Sequence, residues 1–376
     1  MKIALISVAP PYRGGISLNS AILFRHLEAR HQVIFYNFSR QYPDFLFPGK
    51  TQFETGTPAV PVSTERTLDS INPITWRTTA KKIIRQSPNL LIIRFWNPFF
   101  APLSGYIANY VKRRLPNIHI MAICDNIIPH ERHWFDVPFI RYFFKKVDSF
   151  LVLSSSVESD LKLLVANPRF KKIYHPIYHV FGKPVSAVEA RKKLGLTQKH
   201  IILYFGYVRS YKGLDTLIIA TRKLKTLLND FQVIAVGESY EGVEKYENLI
   251  RANDVQDVLK WENQYIPDDR VKLYFSAADV ISLPYHSATQ SGIVPIAFHF
   301  NKPVVVTRVG GLPEVINEGK SGFIINPGDS EALAHTLADG LKNRSFEKMI
   351  PHVIEEKKRF TWESMVTAIE ELVVES

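Results

Sequence analysis

HIILYFGYVRSYKGLD, residues 200–215, is a run of apolar, β-branched and aromatic residues that stops at Gly206 and reopens at Lys212–Gly213–Leu214 as a helix. An uninterrupted apolar strand, a glycine turn and a helix start are how a buried parallel strand enters a βα unit. The chain opens with the same device. KIALISVA (2–9) runs into PPYRGG, and a helical pattern follows from Ser17 to about Ala29, with apolar Leu18, Ala21, Ile22, Phe24 and Leu27. A pattern that begins at residue 2 and again at residue 200 predicts two α/β domains.

Further strands follow on either side. In the first half HQVIFYNF (31–38), NLLIIRFW (89–96), HIMAIC (119–124) and SFLVLS (149–154) are separated by helical stretches, while residues 41–75 carry no rhythm and read as a long loop. In the second half a helix from Leu214 to Leu228 precedes FQVIAVG (231–237). VLKW (258–261), a helix from Asp268 to Ala278, DVISLPY (279–285), a helix from Gly292 to Phe298 and KPVVVT (302–307) complete the pattern. The rhythm breaks in the proline- and glycine-bearing HPIYHVFGKP (175–184), which places the domains at 1–178 and 179–359. The expected fold is α/β, two Rossmann-like domains facing across a cleft, with ligands at the C-terminal edges of the strands.

With 46% hydrophobic and 22% charged residues in a chain of 376, composition excludes a disordered tail, a collagen-like fibre and a polytopic membrane protein. A single cysteine, Cys124, excludes a disulfide framework and fits a reducing compartment. The first residues lack the basic segment and cleavage site of a signal peptide, so a cytoplasmic location is expected. Net charge is +11, unevenly spread. Residues 1–175 hold 23 Lys and Arg against 11 Asp and Glu, and the remainder 24 against 25. The first domain therefore faces something anionic. Aromatic and basic residues interleave in HWFDVPFIRYFFKKVDSF (133–150), and further cations cluster at Lys112–Arg114 and Arg169–Lys172, which suits an anionic membrane surface. No nucleic-acid-binding module is recognisable, so no nucleic acid partner is expected.

Arg209 and Lys212, three residues apart on the turn after Gly206, are either solvated surface cations or a diphosphate site; a strand's C-terminal edge favours the second. Small polar residues Ser287, Thr289, Gln290 and Ser291 lead through Gly292 into the helix containing Ile293. That is either an ordinary helix start capped by Ser291 or a set of free backbone N–H groups offered to an anion. Glu238, directly after Gly237 at a strand end, is equally readable as a ligand contact or a solvated loop carboxylate. His130 and His133 lack a third metal ligand, so no metal is expected. No Gly-x-Gly-x-x-Gly follows the first strand, which argues against a nicotinamide dehydrogenase.

Taken in order, PPYRGGISL, CDNIIPHE, FGYVRSYKG, TQSGIVPIA with KPVVVT, GGLPEVINEGKSGFIINPGD and FTWESM resemble a retaining glycosyltransferase of the GT-B fold, similar to glycosyltransferase family 4. The resemblance spans nearly the whole chain. It implies a nucleotide-diphosphate sugar as donor substrate, no separate cofactor, and a hydroxyl of a glycan or lipid-linked molecule as acceptor, in cell-surface polysaccharide assembly. It implies that the last helix (360–376) packs back on the first domain. Arg209 and Lys212 would neutralise the departing diphosphate in place of a metal. Gly14 and Gly15 would admit close backbone approach, and the backbone near Gln264, Tyr265 and Ile266 would cradle the nucleobase. Asp125 and His130 would line the acceptor side and position or deprotonate its hydroxyl. One departure matters: the family's two glutamates, with seven residues between them, correspond to Thr289 and Ala297, leaving Thr289 or Gln290 to meet sugar hydroxyls. The rival readings are a nucleotide-sugar epimerase or phosphorylase-like enzyme on the same fold, and a non-catalytic GT-B partner subunit.

Overall fold

A computed structural model describes residues 1–376 except Pro48, Lys50, Thr55, 130–132 and 375–376. The chain divides into two compact units, Met1–Tyr174 with Trp362–Ser376, and His175–Thr361. The first unit is built on a seven-stranded parallel sheet: β1 (Lys2–Ile6), β2 (Gln32–Arg40), β3 (Glu65–Asp69), β4 (Leu90–Phe95), β5 (His119–Cys124), β6 (Ser149–Val152) and β7 (Phe170–Lys172). Their order is β3-β2-β1-β4-β5-β6-β7. The second unit has six parallel strands: β8 (His200–Phe205), β9 (Phe231–Val236), β10 (Leu259–Glu262), β11 (Val280–Leu283), β12 (Val304–Thr307) and β13 (Gly322–Ile325). They lie in the order β10-β9-β8-β11-β12-β13. In each sheet the order reverses beside the first strand, which is where doubly wound sheets hold their ligands.

The central strands are buried at every position in β4, β5 and β11, as parallel strands covered on both faces must be. Residues 41–75, expected as loop, instead contain β3 and the start of the helix Pro73–Gln86, which Asn72 caps by accepting from Ile74 N. The strand ERTLD pairs on one side only and buries Leu68 alone, so it carries no apolar run. The opposite edge strand β7 (FKK) escapes notice for the same reason. The helices Pro73–Gln86, Ala101–Lys112 and Asp136–Phe144 pack side by side. The crossovers they form all step in one direction along the sheet, and right-handed connections then put them on one face. The helix Gly15–Glu28 packs instead against Trp362–Val374, which buries Trp362, Met365, Ile369 and Leu372 in the first unit.

One arginine interrupts the apolar core. Arg94, in β4, has a fully buried side chain, and its Nε and Nη2 each donate to an oxygen of Asp125 at 2.6 Å. Its Nη1 donates to Asn19 Oδ1 and, at 3.3 Å, to Ser20 Oγ, which in turn meets Ser7 Oγ at 2.7 Å. The guanidinium thus ties the helix Gly15–Glu28 to the residues that follow β1 and β5, at the point where strand order reverses. Two charges this deeply buried persist only as a fully bonded pair.

In the second unit the C-terminal ends of the strands are joined by close backbone contact. A Cβ on Gly237, which follows β9, would lie 2.0 Å from the carbonyl oxygen of Gly206, which follows β8. A Cβ on Gly213 would lie 1.8 Å from the oxygen of Pro284, which follows β11, and Gly213 is left-handed with φ +68°. Only glycine fits such an approach.

Two stability predictions follow from these contacts. Gly213→Ala should lower unfolding free energy by about 3 kcal/mol or more, because an overpacking cost adds to that of the left-handed backbone. Gly195→Ala, at φ +67° with nothing within 4 Å, should cost only ~1 kcal/mol. Equal losses in urea titrations would refute the seam. Arg94→Met and Asp125→Leu should each cost about 3–5 kcal/mol, and the double variant far less than their sum. Additive losses would mean the pair is not a coupled unit.

Candidate functional site

The turn after β8 gathers the cations. Arg209 has an extended backbone and precedes a single 3₁₀ turn, Ser210–Lys212, in which Lys212 N donates to Arg209 O at 2.9 Å. The helix Leu214–Leu227 then begins. The turn folds the Lys212 side chain back, so that its Nζ lies 3.5 Å from where a Cβ on Gly206 would sit, with Ile293 Cδ1 3.4 Å from that same point. The bare backbone of Gly206 therefore leaves a niche for the ammonium. Burial first, and the neighbouring Arg209 second, push the Lys212 pKa down to about 8. Among the described residues neither cation is in an ion pair.

Three tyrosines extend the site. The Arg209 guanidinium lies 5.0 Å from the centre of the Tyr240 ring. Tyr240 packs on Tyr207 at 4.6 Å, and Tyr207 stacks on Tyr265 at 6.3 Å, 25° from parallel. Tyr265 is thereby joined to the cation turn through a ladder of rings, while Ile266 beside it is buried. Glu238 is 3% exposed, and its carbonyl accepts from Val208 N at 2.9 Å, so the solvated-loop reading of this carboxylate falls. The nearby His286 imidazole is paired with Asp215 at 2.9 Å.

The segment before the helix Ile293–His299 is closely bonded. Ser291 Oγ accepts from Ile293 N at 3.2 Å and lies 3.4 Å from the Tyr285 hydroxyl. Ser291 therefore does meet the helix's first N–H, although Gly292 is the flanking residue. The Thr289 carbonyl accepts from Gly311 N at 3.0 Å, and Thr289 and Gln290 are both half-buried. Tyr178 Oη, 3.0 Å from His175 Nε2, lies 3.6 Å from a Cβ built on Gly292. Ala297 is 0% exposed, so this position belongs to the core and offers nothing to a ligand.

In the first unit Gly14 and Gly15 begin the helix Gly15–Glu28, and a Cβ on either would meet nothing within 4 Å, which leaves their backbone open to approach. Asp125 gives both carboxylate oxygens to Arg94, making it an anchor for the chain after β5. His130 and its neighbour Glu131 lie outside the described residues. Cys124 is buried, and desolvation raises its thiol well above its usual value, so it is no nucleophile. Among the described residues no group of three His, Cys, Asp or Glu could hold a metal ion.

Sequence reasoning brings Gly206, Arg209 and Lys212 to one turn, while the structure adds Ile293 beside it; the sequence misses Arg94 and the tyrosine ladder. An arginine inside the apolar strand LLIIRF is a signal that was open to reading, since an unpaired charge there is untenable. The tyrosines lie too far apart in sequence to suggest their contact.

Residues 187–359 match the family described as glycosyl transferases group 1. A D-inositol 3-phosphate glycosyltransferase of Corynebacterium aurimucosum is 25% identical over 63% of this chain and 54% of its own length. The chain spans about half the length of the first such relatives. Among solved structures, sucrose-phosphate synthase from Thermosynechococcus elongatus covers both chains fully with a TM-score of 0.77 at 19% identity. HepE of Anabaena in complex with UDP also covers both fully, with a TM-score of 0.76 at 16% identity. The chain has the GT-B fold, and its residues 187–359 match the glycosyl transferases group 1 family.

Proposed function

We propose that this chain is a retaining, metal-independent hexosyltransferase that moves a sugar from a nucleotide diphosphate to a hydroxyl of a glycan or lipid-linked acceptor, in cell-surface polysaccharide or glycoconjugate assembly. The observation that carries this reading is the pair Arg209 and Lys212, half-buried on one turn and, among the described residues, paired with no carboxylate. Two such cations are complete only when an anion arrives, and a diphosphate has the charge and reach to meet both. Gly206 gives room for the ammonium, and the Tyr207–Tyr265 stack, joined to Arg209 through Tyr240, offers ring faces for a nucleobase. The UDP complex of HepE makes a UDP-sugar the first donor to test.

In the reaction the bond from the anomeric carbon to the diphosphate breaks and its electron pair stays on the diphosphate oxygen. Arg209 and Lys212 stabilise the growing charge, the role a divalent cation plays elsewhere. The acceptor oxygen bonds to the same carbon on the departing face, and its proton passes to the diphosphate oxygen. No protein nucleophile is required. This suits a second unit whose Thr289 and Ala297 are not acidic, and a first unit whose Asp125 is bonded to Arg94. A second reading, a non-catalytic partner subunit, is favoured by one observation, the apolar and fully buried Ala297.

Thermal shift and hydrolysis across UDP-, GDP- and ADP-sugars without added metal test the proposal. One donor should raise Tm and be slowly hydrolysed, and Arg209→Ala should abolish the shift while leaving the free protein's Tm nearly unchanged. Binding without hydrolysis or transfer would favour the partner subunit, and no binding at all would overturn the donor site. A pH series gives a separate check. With its pKa lowered to about 8, Lys212 is charged at pH 7 and mostly neutral at pH 9, so donor affinity should fall by about tenfold across that interval. Lys212→Arg should remove that dependence; an affinity equally pH-sensitive in the variant would clear Lys212 of the role.

A further inference from the structure

The row of helices Pro73–Gln86, Ala101–Lys112 and Asp136–Phe144 presents an outer face whose charge is one-sided. The first helix carries Arg77, Lys81 and Arg85 and no carboxylate. The second also has none, and Arg113 and Arg114 follow it. The third bears Arg141 and is followed by Lys145; its only carboxylate, Asp136, is buried and accepts from His133 N at 2.7 Å. Among the described residues none of these seven cations is in an ion pair, whereas Lys82 and Lys112 nearby are paired with Glu65 and Asp148. The contrast with the returning helix Trp362–Val374 is plain. There Glu370 takes Arg30 and His31, and Glu371 takes Lys171.

The face is continuous and also apolar. Trp76 and Tyr106 join the first two helices with ring centres 6.0 Å apart, and Tyr142 of the third lies on Gly105 of the second. The Tyr110 phenol takes a hydrogen bond from Arg77 and lies near Arg114 and Lys81, which together lower its pKa. Around these cations Ile74 is 75% exposed and Trp134 89%, with Phe139 and Tyr142 also exposed. A solvated charged face has no need of a protruding tryptophan and isoleucine, and phosphates alone would not engage them. Cations flanked by exposed indole and aliphatic groups match the boundary between headgroup and acyl chain. Among the described residues no helix is long and apolar enough to cross a membrane, so any contact would be lateral.

We propose that this three-helix face docks the first unit on an anionic lipid bilayer, with Trp134 and Ile74 entering the interface and the cations meeting lipid phosphates. The inference is independent of the donor site, since none of these residues belongs to it.

Co-sedimentation of the full chain with vesicles tests it. Binding is expected to phosphatidylcholine vesicles containing phosphatidylglycerol, to weaken strongly in 0.5 M NaCl, and to be absent on pure phosphatidylcholine. Each cation near such a surface is worth about fivefold in partitioning, so Arg77→Gln, Lys81→Gln and Arg85→Gln together should weaken binding about a hundredfold. Trp134→Ala should weaken it at high and low salt alike, and donor-induced thermal shifts should be unchanged in both variants. Equal binding to neutral vesicles, an undiminished triple variant, or preference for a single-stranded oligonucleotide over anionic vesicles would overturn the proposal.

Discussion

The second unit depends on a backbone seam. Where β8, β9 and β11 end, the chain approaches itself so closely that Gly237 meets the carbonyl of Gly206 and Gly213 meets that of Pro284. Side chains would hold these strand ends apart. Because they are absent, the cation turn is drawn against the residues that follow β11, and Lys212 folds back over Gly206 beside Ile293. Charge, helix start and ring ladder are consequences of that contact, since each hangs from a segment the seam fixes.

The two units treat buried cations in opposite ways. Arg94 is saturated, with a carboxylate, an amide oxygen and a hydroxyl arranged around a planar fork. Its electrostatics are finished before any ligand arrives, and it serves to hold three segments in register. Arg209 and Lys212 repel one another across one turn, and their local environment is unfinished. A saturated pair makes a scaffold and an unsaturated one makes a binding site. Asp125 accordingly belongs with the scaffold, despite standing at a strand end where a catalytic acid is expected.

Much of this was legible in the amino-acid order. Central strands announce themselves because burial on both faces demands apolar runs, and β1, β4, β5, β8 and β9 fall close to where the sequence puts them. Edge strands do not, because ERTLD and FKK pair on one side and keep charged residues. The phosphate turn was readable because glycine and cations sit within seven residues. The tyrosine ladder was not, since Tyr207, Tyr240 and Tyr265 come from three separate strand ends and only the sheet order brings them together. Ala297 shows agreement of another kind: the resemblance puts a glutamate there, the alanine offers no side-chain bond, and the position is fully buried.

The helix Trp362–Val374 gives the molecule a direction in time. It covers the helix Gly15–Glu28 and touches β6 and β7, yet it follows the whole of the second unit in sequence. A ribosome releasing this chain delivers the first sheet early, then the whole of the second unit, and only afterwards the piece that seals the first. Throughout that interval the surface awaiting Met365, Ile369 and Leu372 stays open to water and to chaperones. The second unit, contiguous in sequence, has no such wait. Completion of the N-terminal half thus waits on synthesis of the second unit, and a message cut short after that unit would yield a protein with one finished half and one unsealed.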